Sequence, residues 1–583
     1  MASSAMSTFI VAFGFWMFSG LPILAGANAF RGSSSLAATD SMKIEDVRAT
    51  MLDELMSALG SGNLVTEQRL AKLEEALRPT FLAMPKNENG NLDHAGVRYV
   101  LHRLFVQRHG MYIKGLDPGS DTWKWNSSSP ADILESRVPT FVQDLFEERL
   151  KGRGLGMHEI AILAATLEHL IHNEAEAKLK TAYEVKGLSL AAPVTASQAE
   201  ELLSIYMYLF LRGPSEVFDE SVMKIMRKSY PNWQASLDFI NQVRKEVTAA
   251  HAADSAFADG MLAFNGTSKV VEEFAERYGK WQNHECLDLK SALMKIENKQ
   301  SGRVLLKDFY GDAINGGSWQ FSESVEYLRA LGNLDESDPA RPSVLIANYV
   351  NAASNCLASS SMYSVCCLNE CEELLGHIER EVAGPEAAPD RLATIIERLP
   401  SATVTAPRSL PEMLRKRLQD IADHHGGQVQ LHGRLFAQLL HNAYPRECPY
   451  PHQSGKTNPM TASDWMSSKA GVSSNLEEMK EYADAEVDSV AAANAEQKEE
   501  EQEQSLWSHE EELVVVRPST LSKATSAGWT SLARHVAQVA VLVTIALGLR
   551  SHLVSALGAL QGSRDQKAGG LPLAMSGGKQ HFC

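Results

Sequence analysis

The chain has 583 residues, too many for one ordinary core, so two or three domains are expected. An apolar fraction of 44% suffices for a sizeable core. The net charge is −17, but between Glu477 and Glu512 fourteen Asp/Glu face two Lys. The remainder is nearly neutral and has no basic stripe, which argues against a nucleic-acid partner.

In chain order, MSTFIVAFGFWMFSGLPILAGANA is an apolar run closing on the small-x-small pattern Ala27-Asn28-Ala29. It reads as a signal peptide over 1–29, followed by a linker over 30–41. The Ser/Ala-rich FRGSSSLAAT also fits a plastid leader reached through the secretory route. The expected location of the body is therefore lumenal or extracellular, with plastid as the alternative. Sequons at Asn126 and Asn265 fit a lumenal body.

From Met42 the apolar spacing is helical nearly throughout, which predicts an all-α fold with a first domain over 42–282. The stretch PKNENGNLDHAG has a calcium-loop look, but Pro85 and Gly96 stand where the first and last acids belong, so it reads as a turn. Residues 110–130 read as a loop with Trp123 and Trp125 as aromatic anchors. A long helix follows from Gly156, on which Glu168 and His172 are read as ordinary helix polar groups, with neither HExxH nor ExxH spacing. Ser197-x-x-Glu200 offers a capping box to the next helix, which Gly213-Pro214 stops.

An EF-hand-like and Cys-rich helical region is expected over 283–400. With Glu297 as loop position one, Gly302 takes the sharp turn, Val304 the aliphatic position, Asp308 the terminal acid, and Phe309 opens the exiting helix. Residues 287–310 thus resemble a degenerate EF-hand. Glu297, Ser301 and Asp308 are the weak calcium candidates this resemblance implies, opposed by Lys299 at the third position.

Five of seven cysteines and six of eighteen histidines fall between Arg341 and Trp465. SSSMYSVCCLNECEELLGHIE reads as one helix carrying Cys367 and Cys371 on one face, with Cys366 turned away. The readings are buried small side chains, one or two disulfides, or a metal site. A His/Cys-containing helical region is expected over 401–470. There His432 and His441 are placed on one helix, and His441, Cys448 and His452 form a weak zinc or copper candidate.

No GxSxG is present, and Gly455-Lys456-Thr457 lacks the glycines of a phosphate loop, so no catalytic residue is assigned. SNCLASSSMYSVCCLNECEELLGHIE, LHGRLFAQLLHNAYPRECPYPHQSG and GNLDHAGVRYVLHRLFVQRHG resemble segments of uncharacterised dinoflagellate (algal) membrane-anchored proteins. That resemblance implies an algal origin and carries no activity.

An acidic linker is expected over 471–528. A transmembrane helix follows over 529–560, with an interfacial helix as the alternative, and a tail over 561–583. The expected function is a membrane-anchored lumenal helical scaffold or binding protein. It has the membrane and a protein as partners. The alternatives are a calcium-responsive module and a metal- or thiol-dependent enzyme using the Cys/His region.

Overall fold

The computed structural model describes residues 67–116, 154–213, 217–316, 320–357, 359–468, 471–484 and 506–515. The expected signal peptide, the anchors Trp123 and Trp125, the sequon at Asn126 and the expected transmembrane segment 529–560 lie outside them. No helix of the described residues is long and apolar enough to cross a membrane.

Helices dominate, with a few strands of two or three residues. Helix α1 (Glu67–Ala83) packs on α3 (Met157–Lys186), and α2 (His94–His109) lies beside both. The Asp93 carboxylate caps α2 through the Gly96 N–H, and Gly110 ends it in the left-handed region. Helix α4 (Ala196–Arg212) starts from a capping box made by Thr195 and Gln198, two residues ahead of the pair expected from the sequence. Both pairs have the right spacing, and Thr195 wins because its backbone is extended just after the buried Val194.

After α5 (Glu220–Ser229) and α6 (Trp233–Ala250), helix α7 (Phe264–Lys295) runs through the expected domain boundary at 282. Its Phe274 and Tyr278 meet Phe210 of α4 edge-on, the centre of the N-terminal core.

The stretch expected as a loop at 110–130 holds strand β1 (Met111–Ile113) near its start. The middle region comprises β2 (Arg303–Leu305), α8 (Leu306–Gly316), α9 (Val325–Leu331), β3 (Leu334–Asp335), β4 (Ser343–Leu345) and α10 (Ile346–Val350). Then come β5 (Tyr363–Val365) and α11 (Glu370–Val382). Strand β5 pairs antiparallel with β1, Tyr112 opposite Ser364.

The expected cysteine helix is therefore half strand. Tyr363 and Val365 are buried and paired, and the helix begins only after Asn369 caps it. Cys366 and Cys367 precede that helix, so their assumed helical faces do not exist. The C-terminal core is built by β6 (Glu386–Ala387), α12 (Pro389–Arg398), α13 (Glu412–His424), β7 (Val429–Gln430) and α14 (Arg434–Ala443). His432 precedes α14, so it does not share a helix with His441. Helices α15 (Ala462–Ser468) and α16 (Leu476–Ala483) follow, α16 packing on α8.

One construction recurs. Leu92 bridges Leu155, Val194 bridges Leu262, Val304 pairs with Val344, and Ala387 pairs with Val429, all antiparallel. All eight side chains are buried, and all but Val429 sit two residues before a helix. Gly90, Gly260, Gly302 and Gly427 have positive φ two residues ahead of their bridging partner. Each loop turns sharply, gives one short strand contact to a second loop, and enters a helix.

The N- and C-terminal parts meet at a buried ion cluster. Arg103 of α2 bonds to Glu379 and Glu372 of α11, its side chain 1% exposed. Glu379 also accepts from Thr80 at 3.1 Å and from His432 Nε2 at 2.7 Å. Burial alone would raise the Glu379 carboxyl, but Arg103 and His432 hold it below the ordinary range.

Finally, part of the expected acidic linker returns to the body. Trp507 packs against the C-terminal core, Leu513 bridges Gly433, and Glu511 meets His425 at 2.7 Å.

Candidate functional site

Loop 297–308 is closed on itself. Lys299, Gln300 and Gly302 all have positive φ, and the turn lets the Gly302 N–H donate to Glu297 Oε1 at 2.6 Å. The rest of the Glu297 carboxylate is taken by Arg446, whose Nε lies 3.0 and 2.9 Å from the two oxygens and whose Nη2 lies 2.6 Å from Oε2. The Glu297 side chain is 3% exposed. Ser301 Oγ donates to the Asn298 carbonyl at 2.7 Å, and Asp308 lies in the first turn of α8. A guanidinium fork thus satisfies the acid that a calcium loop would aim at its ion. A Cβ on Gly302 would lie 2.6 Å from the Pro445 carbonyl, so that glycine admits the Pro445-Arg446 corner.

The second candidate set does converge, but as a proline-fixed support. His441 Nδ1 donates to the Cys448 carbonyl at 2.8 Å, and His452 Nε2 donates to the Gly332 carbonyl at 2.7 Å. Both rings meet Tyr450 edge-on, at 5.5 and 5.2 Å. Asn348 holds the same turn, accepting from the Tyr450 N–H at 2.7 Å and donating to the Gly332 and Tyr450 carbonyls. Burial, with Arg303 nearby, pushes the His441 imidazole down to about 4, and burial also lowers His452. The Cys448 sulfur is bonded to Cys371 and in that form is no thiolate ligand. Among the described residues no group of three His, Cys, Asp or Glu is arranged to hold a metal.

Six cysteines pair: Cys286–Cys367, Cys356–Cys366 and Cys371–Cys448. The adjacent Cys366 and Cys367 turn to different partners, one local and one on α7.

Two features were not found from the sequence. The first is a polar cleft between α1, α3 and α7. Glu168, 6% exposed, accepts from Arg69 Nε at 2.9 Å and faces His109 Nε2 at 3.4 Å. Burial would raise its carboxyl, yet the hydrogen bond from His109 and the charge of Arg69 hold it low. Glu276 across the cleft is raised by its own burial.

The second is a cavity of about 290 Å³ where α2, β1, the α10 end and the α11 start meet. Tyr99 and His102 of α2 and Tyr112 of β1 supply rings; Asn348, Asn351 and Asn369 supply amides; Pro449 and Pro459 close the other side. Asn369 and Glu372 flank Cys371, and Pro449 follows Cys448, so one disulfide staples this wall. No short motif marks the cavity, because its polar residues are spread from Tyr99 to Glu372.

No protein-family model matches the chain, no curated protein is similar to it, and no solved structure matches its fold.

Proposed function

We propose that the chain is a lumenal or extracellular scaffold or binding protein, held at a membrane by its segment 529–560. Its body would be built from pairs of EF-hand-like loops that no longer use calcium. The carrying observation is that the side chains needed by the rival readings are already committed within the protein. Glu297 is engaged by Arg446 and Gly302, and Cys448 is joined to Cys371. A calcium sensor needs the first group available, and a thiol or zinc enzyme needs the second.

Supporting the EF-hand likeness, the loop pairs repeat a turn, an aliphatic bridging residue and a following helix. Aligned on Val304, the Leu92 loop has Pro85 first, the Val194 loop Gly187, and the Val344 loop Ser337. None of these supplies a first carboxylate. Three disulfides suit an oxidising compartment, which is what a secretory leader would lead to.

The test is elemental analysis, calcium calorimetry and thiol counting on the purified full chain. Expected are no stoichiometric metal, no heat with millimolar calcium, and one reactive thiol after denaturation, from Cys583. Bound zinc or copper, a calcium isotherm, or three free thiols would each overturn the reading.

A further inference from the structure

The cavity beside the Cys371–Cys448 disulfide has a chemistry of its own. Its one carboxylate, Glu372, is already joined to Arg103, which Glu379 shares. His102 is buried, and burial with Arg103 beside it pushes the imidazole down to about 4, so it is neutral at physiological pH. No lysine lines the space. An ionic ligand would find no countercharge to replace its water.

What the walls do offer is amides. Asn348, Asn351 and Asn369 each carry both a donor and an acceptor group. Asn348 and Asn369 spend theirs partly on fixing the local backbone, Asn348 on the Tyr450 turn and Asn369 on the Cys371 N–H. Asn351 uses its N–H on the Ala347 carbonyl at 2.8 Å, while its Oδ1 is buried without a hydrogen-bond partner. Hydroxyl groups, which both donate and accept, are the natural complement. The remaining wall is flat and apolar: the rings of Tyr99 and Tyr112, the two prolines, and Val106. Such surfaces suit the C–H face of a saturated ring. At about 290 Å³ the space is near the lower end of the ~300–1,000 Å³ range of small-molecule sites.

We propose that this cavity binds a neutral polyhydroxylated ring compound, a mono- or disaccharide. The inference rests on the reading of the chain as a binding protein and names the class of its ligand. Asn348, Asn351 and Asn369 supply the amide wall, and the Tyr99–Tyr112 side supplies the apolar platform.

The test uses the disulfide-intact full chain with D-glucose, D-galactose, D-mannose and trehalose, and inorganic phosphate as the charged comparison. Binding is read by calorimetry and its place by amide hydrogen exchange. At least one sugar should bind and slow exchange across 348–353 and 369–372, while phosphate does neither. Asn351→Leu and Ala353→Phe, the latter filling the cavity, should each weaken binding at least about tenfold, a change of ~1.4 kcal/mol. Retention of the three disulfides checks their folding. Absence of sugar binding, protection confined to other segments, or protection by phosphate instead would overturn the proposal. If the variants fail to fold, the exchange map of the unaltered chain still decides it. None of these outcomes bears on metal content or thiol count, so the scaffold reading stands or falls separately.

Discussion

His441 shows how one residue's surroundings fix its chemistry. It is 1% exposed, its Nδ1 donates to the Cys448 carbonyl, and its Nε2 has no hydrogen-bond partner. Protonation would bury a charge and an unpaired N–H together. Its folded-state pKa of about 4 lies below the ordinary ~6.5, so between those values the unfolded chain binds the proton more readily. Stability is therefore full above pH ~6.5 and is lost as the pH falls toward ~4, by roughly 3 kcal/mol from this residue. Urea unfolding at pH 7 and pH 4.5 should show that loss. It should shrink in His441→Asn, whose amide can keep the Nδ1 bond without titrating. An undiminished pH effect in the variant would assign the loss to other groups. In the sequence, His441 and His452 were visible as a pair near Cys448. The carbonyl partner of His452 was not, because Gly332 is remote in the chain.

Among elements, the loops divide what could be read from what could not. Loop 297–308 was legible because Glu297, Gly302, Val304 and Phe309 keep their spacing. The Leu92 loop has a glycine at the matching place, Gly90, but Pro85 where loop 297–308 has Glu297. The Val194 loop has neither, so only the bridge to Leu262 reveals it. Spacing records backbone geometry, and where the residue types differ from loop to loop little of that geometry can be read from sequence. The cysteine segment failed for the opposite reason: its apolar spacing permits helix, but pairing of β5 with β1 decides for strand. The loop's ion pair yields a direct expectation. Arg446→Ala would leave Glu297 buried with only the Gly302 N–H, costing roughly 3 kcal/mol, whereas Arg446→Leu combined with Glu297→Leu should cost much less. Denaturant midpoints of the single and double variants measure this. Equal losses would show that packing, not the stranded carboxylate, dominates.

For the whole molecule, composition separated body from acidic stretch but did not show that part of that stretch packs back on the body. Charge density hid Trp507 and Leu513, two apolar residues that bring 506–515 back onto the C-terminal core. Likewise, the expected boundary at 282 falls inside α7, because a 32-residue helix shared by two cores gives no break in periodicity. Number and positions of cysteines were plain from the start; their partners depend on which distant backbones the fold brings together.

The order of those bridges makes the body a mechanical short circuit. Tension entering at Cys448 crosses to Cys371, travels through 367–371, and crosses again to Cys286. The intervening spans, with sequence separations of 81 and 77 residues, carry none of that covalent load. The loaded backbone is five residues, about 17 Å at full stretch. Pulled between Cys286 and Cys448, the oxidised chain should stop extending at that short length. After reduction it should lengthen by roughly 500 Å. A force trace with no change on reduction would mean the bridges do not carry the pull. Loop 297–308 lies in a spared span, whereas Asn369 of the cavity wall lies on the loaded one, so a pull on the oxidised chain is felt first at the cavity.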